Sequence, residues 1–487
     1  MTFNSVTYLL FLLVFLLTYW RLPAAWRPGL IALASVLFYS LWKPVFVLLM
    51  MLSASVDYVV AMLIEKSDDP KYRRRLLAVT LAVNLGLLAY FKYLLFAIDN
   101  LEVSLAFFGH PVAIPHPEII LPLGISFYTF ETISYVIDVY RRVIPAERSL
   151  VRYVCFITFF PKLIAGPILR AAQLIPQFGA TNRLSAQDVL AGLQAIAIGL
   201  FLKGGFADGI AALVDDGFTR AAALWSAWDT WAMASLFGIQ IYFDFAAYSM
   251  IAIGSARLMG IHLPDNFNFP YAAVSPRDFW KRWHISLSGW IRDYLYLPLS
   301  GQKFENRSGL PSGAGESGAA GDAKSATMVA LFLTWAVMGL WHGANWTFVM
   351  WGLMHAGLIA LYRVTESWRV RLSPRVRTIG GALFTLPMVL LAWIPFRAST
   401  VHEALVIVGK VFDPRAYFAL GLRENTYLVA VVMLAGVLLA APICHWIKTS
   451  AAPGWIRVAG MAAAGAFLVP MSLVFLRPIT QFIYFQF

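Results

Sequence analysis

The sequence predicts an all-α protein that crosses a membrane many times. Of its 487 residues, 60% are hydrophobic and only 13% are charged, and the mean hydropathy is +0.70. A soluble chain of this length could not bury so much apolar surface, because soluble domains average roughly 25% charged residues. Apolar runs recur along the whole chain, separated by short charged or proline-containing breaks. Such runs are expected to be helical, since a helix satisfies its backbone hydrogen bonds internally within lipid.

About eleven crossings are predicted when these runs are compared with a hydrocarbon core about 30 Å thick. The first run, residues 6–20, has no basic n-region and no small-residue cleavage site, so it is predicted to be a span rather than a signal peptide. Residues 151–168 contain Pro161 and Pro167 and are predicted to be re-entrant, because the run is short and broken. The other predicted spans are residues 29–42, 44–64, 76–98, 121–140, 190–212, 228–258, the two halves of 327–363, and 379–394, 427–446 and 456–475.

Basic residues are concentrated in alternate loops. Residues 66–75 and 141–152 are rich in Lys and Arg, whereas residues 99–118 contain neither. Because basic loops stay on the cytoplasmic side, this pattern predicts an extracytoplasmic N-terminus. It also explains the formal net charge of +12 without nucleic acid as a partner. The two cysteines, Cys155 and Cys444, make no disulfide framework and are predicted to be packing residues.

Residues 327–363 form an apolar stretch that contains His342, His355 and one expected break, at Gly343. An ionisable side chain at membrane depth is costly and therefore indicates a functional site. Irregular backbone is tolerated there only against protein or a watery cavity, so His342 is predicted to line such a cavity and to transfer protons. The alternative is a histidine at a helix end, hydrogen-bonded near the headgroups. His355 joins the same site only if the chain bends between the two imidazoles.

Two acids interrupt long apolar runs. Glu131 follows a Pro- and Gly-containing segment, residues 121–124, which predicts a helix that starts late or one that lines a cavity. Asp244 lies within residues 228–258. Charges inside such runs normally face the interior of a helix bundle. Both acids are predicted to be buried near a central cavity and to hydrogen-bond the helices around it.

Residues 275–293 carry a helix-start signal followed by several aromatic and charged residues. Ser275 is a capping hydroxyl and Pro276 suits the first helical position. The residues that follow predict an amphipathic helix at the membrane interface, with Trp280, His284 and Ser288 on one face at i, i+4 and i+8. His284 is thus the second imidazole of interest, although a structural role is the simpler interpretation of it alone.

The chain is predicted to form one membrane domain. Its parts are N-terminal spans in residues 1–118, a core with the candidate site in residues 119–363, and C-terminal spans in residues 364–487. Residues 302–326 are rich in Gly, Ser and Ala and offer little to bury, so they are predicted to be a flexible loop.

Taken together, these segments resemble the membrane-bound O-acyltransferase family, in the branch of bacterial alginate O-acetylases. Two segments are the most specific: Arg-Asp-Phe-Trp-Lys-Arg-Trp-His-Ile-Ser-Leu-Ser at residues 277–288 and Leu-Trp-His-Gly-Ala-Asn-Trp-Thr at residues 340–347. The resemblance also covers residues 84–93, 121–130, 159–167, 241–249, 265–271 and 482–487.

The resemblance implies a ring of tilted helices around a thin centre, with re-entrant and interfacial helices and with funnels from both faces that meet at the histidine. It implies that His342 is the catalytic residue and that His284 is a second catalytic position. A developing oxyanion needs donors, and His284, Asn345 or Trp346 could supply them. Trp341, Asp244, Glu131, Ser288 and His355 are the remaining residues expected to bind substrate or support the site.

The function that the resemblance implies is transfer of an acyl group, most simply acetyl, from a cytoplasmic thioester to an extracytoplasmic hydroxyl. The donor, acetyl-CoA or an acyl carrier, is a co-substrate; no bound cofactor and no metal are expected. The acceptor is a polysaccharide or a partner protein that relays the group. The location implied is the inner (plasma) membrane of a bacterium, with lipids and an extracytoplasmic acetyltransferase or polysaccharide-export protein as partners.

Two other classes of function stay open at this stage. A transporter or flippase could use the intramembrane His, Asp and Glu residues as a proton or lipid path. Many transporters are built from internal repeats, however, and the sequence shows none. A third possibility is a scaffold for a machine that secretes polysaccharide.

Overall fold

The computed structural model describes residues 2–179, 182–302 and 323–449, and its regular secondary structure in these ranges is entirely helical. The all-α prediction is therefore confirmed. The contacts divide the chain into two compact units. The first contains described residues 2–179, 182–193 and 251–264, and the second contains described residues 194–250, 265–302 and 323–449.

Seven helices in the described ranges are long and apolar enough to cross a membrane, so the chain is a multi-pass membrane protein. Two further apolar helices are shorter, Val6–Arg21 and Thr327–His342. The number of about eleven crossings and the ring arrangement stay predictions. The predicted span at residues 456–475 and most of the predicted loop at residues 302–326 lie outside the described residues. The seven helices that are long and apolar enough to cross a membrane are Pro44–Lys66, Pro70–Phe107, Ala186–Phe218, Ala227–Arg257, Trp346–Val364, Pro374–Arg397 and Glu424–His445.

The first unit is held together partly by polar contacts between its helices. Asn84 donates from Nδ2 to both carboxylate oxygens of Asp57, at 3.0 and 2.9 Å, and its own Oδ1 accepts from Ser53 and Thr132, at 3.0 Å each. All four side chains are buried. Because lipid offers no replacement partner, this network fixes three helices against one another. The helices of the unit are Val6–Arg21, Arg27–Ser40, Pro44–Lys66, Pro70–Leu88 continuing through Leu94–Phe107, Ile125–Tyr140, Leu150–Thr158, Phe160–Leu163, Ala171–Gly179 and the start of Ala186–Phe201.

Two predictions about broken helices in the first unit are confirmed. The helix that carries Glu131 begins late, at Ile125, after Gly124 with a left-handed φ of 73°. A side chain at Gly124 would also collide with the backbone oxygen of Leu163, because its Cβ would lie 2.5 Å away. Residues 151–168 are broken as predicted into the short helices Leu150–Thr158 and Phe160–Leu163, neither of which is long enough to cross a bilayer. That this segment is re-entrant stays a prediction.

The second unit contains a tight helical hairpin, Ala323–His342 followed by Trp346–Val364. The two helices approach closely at two glycines. A Cβ on Gly339 would lie 2.2 Å from the oxygen of Phe348, and one on Gly352 would lie 2.1 Å from the oxygen of Trp335. Small residues permit this approach of backbones in membranes. The other helices are Asp208–Phe218, most of Ala227–Arg257, Pro276–Trp280, Ile285–Ile291, Leu297–Leu299, Glu366–Arg369, Pro374–Arg397, Val401–Gly409 and Glu424–Thr449, with a π-helical turn at Leu202–Ala207 and another at Arg292–Tyr296.

The single amphipathic helix predicted after Ser275 is wrong. The structure has two short helices, Pro276–Trp280 and Ile285–Ile291, because His284 adopts a left-handed φ of 40° between them. Trp280, His284 and Ser288 therefore do not share a helix face. Trp280 and His284 are also buried within the unit rather than laid along a surface. The helix start itself is as predicted, since Ser275 Oγ accepts from the backbone N–H of Asp278 at 3.0 Å.

Candidate functional site

His342 lies at the last position of helix Ala323–His342, where the predicted break is confirmed. Asn345 restarts the chain as a helix, because its Oδ1 accepts from the backbone N–H of Thr347 at 3.0 Å. Its Nδ2 donates to the backbone oxygen of Ser399 at 3.3 Å. The break depends on glycine for a reason other than backbone freedom. A Cβ on Gly343 would lie 2.1 Å from Cε2 of the Phe348 ring, so only glycine leaves room for that ring.

Aromatic rings surround His342. The centroid of its imidazole lies 4.9 Å from that of Trp341, 4.8 Å from Trp351 and 5.3 Å from Phe396, each in an edge-to-face orientation. Only 4% of the residue is exposed. Rings packed at these distances restrict how the imidazole can rotate, so His342 is held in one orientation within a largely apolar pocket.

His355 joins the same aromatic cluster because the chain turns back after His342. The Trp351 indole contacts both imidazoles, with its centroid 4.8 Å from His342 and 4.9 Å from His355. His355 is buried, and its Nδ1 accepts a hydrogen bond from Trp280 Nε1 at 3.3 Å. An indole N–H can only donate, so the proton of a neutral His355 is on Nε2. The Trp351 ring thus contacts both imidazoles, and the two histidines belong to one cluster. The bend on which the sequence analysis made this depend is present.

His284 is oriented by Asn266. The His284 Nδ1 and Asn266 Oδ1 atoms are 3.1 Å apart, and the same Oδ1 accepts from the backbone N–H of Ser286 at 3.3 Å. An amide oxygen only accepts, so Nδ1 of His284 carries the proton and Nε2 presents a lone pair. Among the described residues, that Nε2 has no hydrogen-bond partner, and the residue is fully buried. A neutral His284 is therefore an acceptor rather than the oxyanion donor suggested by the sequence.

The remaining predicted residues of the second unit have structural contacts. Asn345 uses its side-chain amide for the cap and for Ser399, as described above, and Ser288 Oγ donates to the backbone oxygen of Trp283 at 3.3 Å. Trp346 is 54% exposed, whereas Trp341 is buried beside His342. Of this group, Trp341 packs against the His342 imidazole.

Asp244 and Glu131 are buried, as predicted, and each is paired with a lysine. Asp244 Oδ1 lies 2.7 Å from Lys203 Nζ, which also lies 2.8 Å from Asp208 Oδ1. In the other unit, Glu131 pairs with Lys162 and accepts from the backbone N–H of Leu169 at 3.2 Å. These pairings agree with the expected structural role, because an acid buried in a membrane needs a partner. That His342 lines a cavity, and that either acid lies near that cavity, stay predictions.

Sequence reasoning missed two residues that contact the candidate imidazoles. Asn266 belongs to an Asp-Asn-Phe-Asn segment that was noted only as a resemblance, and nothing in its spacing indicates that it fixes His284. Trp351 is one of 17 tryptophans, so composition could not single it out.

One group in the described part of the chain has the composition of a metal site, although none was expected. Ligand atoms of Asp99, Glu102 and His116, all in the first unit, lie within 4.8 Å of one another. His116 Nε2 is already 2.8 Å from Asp99 Oδ1. That hydrogen bond raises the pKa of His116, which favours an imidazolium–carboxylate pair over the neutral imidazole that a metal requires.

Comparison with known proteins identifies relatives along most of the chain. Residues 5–314 match the family described as MBOAT, membrane-bound O-acyltransferase. A probable alginate O-acetylase of Azotobacter vinelandii is 35% identical over 447 residues, which is 90% of this chain and 84% of the relative. The peptidoglycan O-acetyltransferase of Helicobacter pylori is 33% identical, covering 79% and 73%, and the teichoic acid D-alanyltransferase of Bacillus subtilis is 29% identical, covering 61% and 74%.

The contacts of Asn266 predict a loss of stability when its amide is removed. Asn266→Ala leaves the buried Nδ1–H of His284 and the N–H of Ser286 without their acceptor, which should cost about 1–3 kcal/mol. We expect a lower midpoint of thermal unfolding in detergent micelles. Asn268→Ala, two positions away and exposed, is the matched control and should unfold like the wild type. Equal midpoints for both variants would contradict the role given to Asn266.

Proposed function

Because the chain belongs to the membrane-bound O-acyltransferase family, we propose that it moves an acetyl group from a cytoplasmic thioester to an extracytoplasmic hydroxyl through His342. Membership in this family identifies the chain as an acyltransferase. It therefore argues against the transporter and scaffold functions that the sequence alone left open. The observation that carries the proposal is the position of His342, a buried imidazole at a helix break, oriented by three aromatic rings.

In the proposed reaction, His342 acts as general base. A ring nitrogen of neutral His342 takes the proton from the acceptor hydroxyl, and the oxygen forms a bond to the thioester carbonyl carbon. The carbon–sulfur bond then breaks, and the departing thiolate takes the proton back from the imidazolium. A thiol has a pKa of about 8.5, so the thiolate leaves without strong acid assistance. Three aromatic rings pack around the buried imidazole, and such surroundings would keep competing water from an acyl group bound beside it.

His284 contributes in a different way under this proposal. Its Nε2 lone pair, fixed by Asn266, can accept a hydrogen bond from an N–H or O–H group of a substrate. Ring contacts connect its neighbour Trp283 to His342. The Trp283 ring is 4.8 Å from Trp393, which is 5.5 Å from Phe396, and Phe396 packs on His342 at 5.3 Å. We assign His284 to substrate orientation and His342 to proton transfer.

The acceptor is proposed by analogy with the relatives, whose printed names specify alginate, peptidoglycan and teichoic acid. These names share a hydroxyl-bearing polymer of the cell envelope. We propose the same class here, reached either directly or through a partner protein that relays the acetyl group. Labelled acetyl-CoA or acetylated carrier, supplied with polymer alone and with polymer plus partner, separates the two routes. Label in the polymer without any partner would exclude an obligatory relay.

The role of His342 predicts a specific pattern of activity. In purified protein reconstituted in lipid, His342→Ala should lower acyl transfer by about 10²–10⁴-fold, the usual contribution of a general base. His342→Gln should be equally poor, since an amide can hydrogen-bond the acceptor but cannot take its proton. His284→Ala should lose only about ten- to a hundredfold, because it orients rather than deprotonates.

His402→Ala is the matched control for these variants, because His402 is an exposed histidine of the same unit. It should transfer at the wild-type rate. Matched unfolding midpoints are required for every variant compared. Near-wild-type transfer by a well-folded His342→Ala protein would contradict the proposed role of His342 as general base.

We propose that the chain lies in the inner membrane with its N-terminus extracytoplasmic. The support is the charge asymmetry between residues 66–75 and residues 99–118. A cysteine at Lys71 should react with an impermeant thiol reagent only after the cells are permeabilised, and a cysteine at His110 should react in intact cells. Both positions are exposed, so burial does not protect either. The reverse pattern of labelling would overturn the orientation.

A further inference from the structure

Two buried N–H donors on neighbouring rings have no acceptor in the described part of the chain. They are Nε2 of His355, whose proton is placed there by the bond from Trp280 to Nδ1, and Nε1 of Trp351. The two ring centroids are 4.9 Å apart, and both side chains are 1% exposed or less. Buried donors are nearly always satisfied by protein, water or ligand. Donors without a protein acceptor therefore point to an oxygen that comes from elsewhere.

The walls around these donors are aromatic. Phe279 stacks on His355 with ring planes 7° apart and centroids 6.0 Å apart, and Trp335 stacks on it at 5.6 Å and 24°. Trp280 closes a third side with its centroid 5.0 Å away. Such aromatic surroundings favour a neutral, partly apolar ligand with an oxygen atom that accepts a hydrogen bond. A carbonyl group on a flexible chain fits this description, whereas a charged group does not.

The order of residues along helix Trp346–Val364 indicates which substrate carries that carbonyl. Trp351 is next to His342, His355 is about one turn farther on, and Arg363 lies near the end of the helix. A basic segment, residues 363–377, follows on that side, and basic segments stay in the cytoplasm. A donor that reaches His342 from the cytoplasm would thus pass His355 before its acyl group arrives at the base.

We propose that His355 and Trp351 bind a carbonyl oxygen of the pantetheine arm of the acyl donor, through His355 Nε2–H and Trp351 Nε1–H. The arm has two amide carbonyls and ends in the thioester, and it is common to coenzyme A and to acyl carrier proteins. His355 is a substrate-binding residue in this account, Trp280 positions it by fixing its tautomer, and neither group exchanges a proton with the substrate. The inference rests on the proposed function, since it takes the thioester donor from there.

Direct binding tests the inference without any transfer. The probe is acetonyl-CoA, in which a methylene group separates the sulfur from the carbonyl so that no acyl group can leave. In lipid nanodiscs, His355→Phe should weaken binding about tenfold, because it keeps an aromatic ring and removes the donor. His355→Gln should restore affinity to within about threefold, since its amide N–H lies near the position of Nε2. Trp351→Phe should also weaken binding, whereas His402→Phe, which makes the same change at an exposed histidine of the same unit, is the control and should not.

The outcomes separate the inference from the proposed function. Equal affinity of wild type and His355→Phe, at matched unfolding midpoints, overturns the inference, because the donors would then face only water. Loss of affinity in both His355→Phe and His355→Gln also overturns it, since the N–H would not be what binds. Binding that follows the expected pattern while the wild type transfers nothing would support the inference and refute the proposed function. If neither acetonyl-CoA nor an acyl carrier protein that carries the same acetonyl group binds, both the inference and the proposed function are overturned. If only one of these two probes binds, that probe identifies the source of the pantetheine arm.

Discussion

The close approach of helices Ala323–His342 and Trp346–Val364 is the constraint on which the site depends. Gly339 and Gly352 allow each helix backbone to contact the other, and a methyl group at either position would meet a backbone oxygen at 2.2 Å or less. The connection between the helices is therefore short, and His342 ends one helix within contact of Trp351 on the next. A looser hairpin would separate the imidazole from the rings that orient it. The position of the proposed base is thus a consequence of backbone packing.

The partners of each imidazole decide what it can do. Asn266 Oδ1 accepts a hydrogen bond from Nδ1–H of His284 and leaves a lone pair on Nε2, whereas Trp280 donates to Nδ1 of His355 and leaves an N–H on Nε2. The same side chain is therefore an acceptor in one place and a donor in the other. Neither partner is charged, and each contacts the imidazole through an atom with one role: Asn266 Oδ1 can only accept, and the Trp280 indole N–H can only donate. Uncharged partners such as Asn266 and Trp280 suit apolar surroundings, where a buried charge would need an opposite charge or hydrogen bonds to offset its desolvation.

Features that depend on composition and chain breaks could be predicted from the sequence. The apolar runs predicted helices, Gly343 predicted the break, and Asp244 and Glu131 were predicted to be buried because acids in apolar runs must be. Features that depend on single backbone dihedrals could not. The left-handed φ of His284 splits what periodicity predicts to be one helix, and an imidazole in that conformation has no sequence signal.

Pairwise contacts across the fold were equally hidden. Trp280 and His355 are 75 residues apart in the chain, so their hydrogen bond cannot be inferred from spacing. Lys203 and Lys162 are likewise distant in sequence from the acids with which they pair, Asp244 and Glu131. The resemblance points to His342 and His284 as residues, but the structure supplies the rings around His342 and the tautomer of His284. Those contacts turn a sequence motif into a chemical arrangement that can be tested.

The pH dependence of single-turnover transfer tests the central claim, proton abstraction by His342, most directly. A general base must be unprotonated, so the wild-type rate should rise with pH through one ionisation and then level off. The residual rate of His342→Gln should lack that ionisation, while His284→Gln should keep it. An inflection that persists unchanged in His342→Gln would show that another group takes the proton, and would contradict the account.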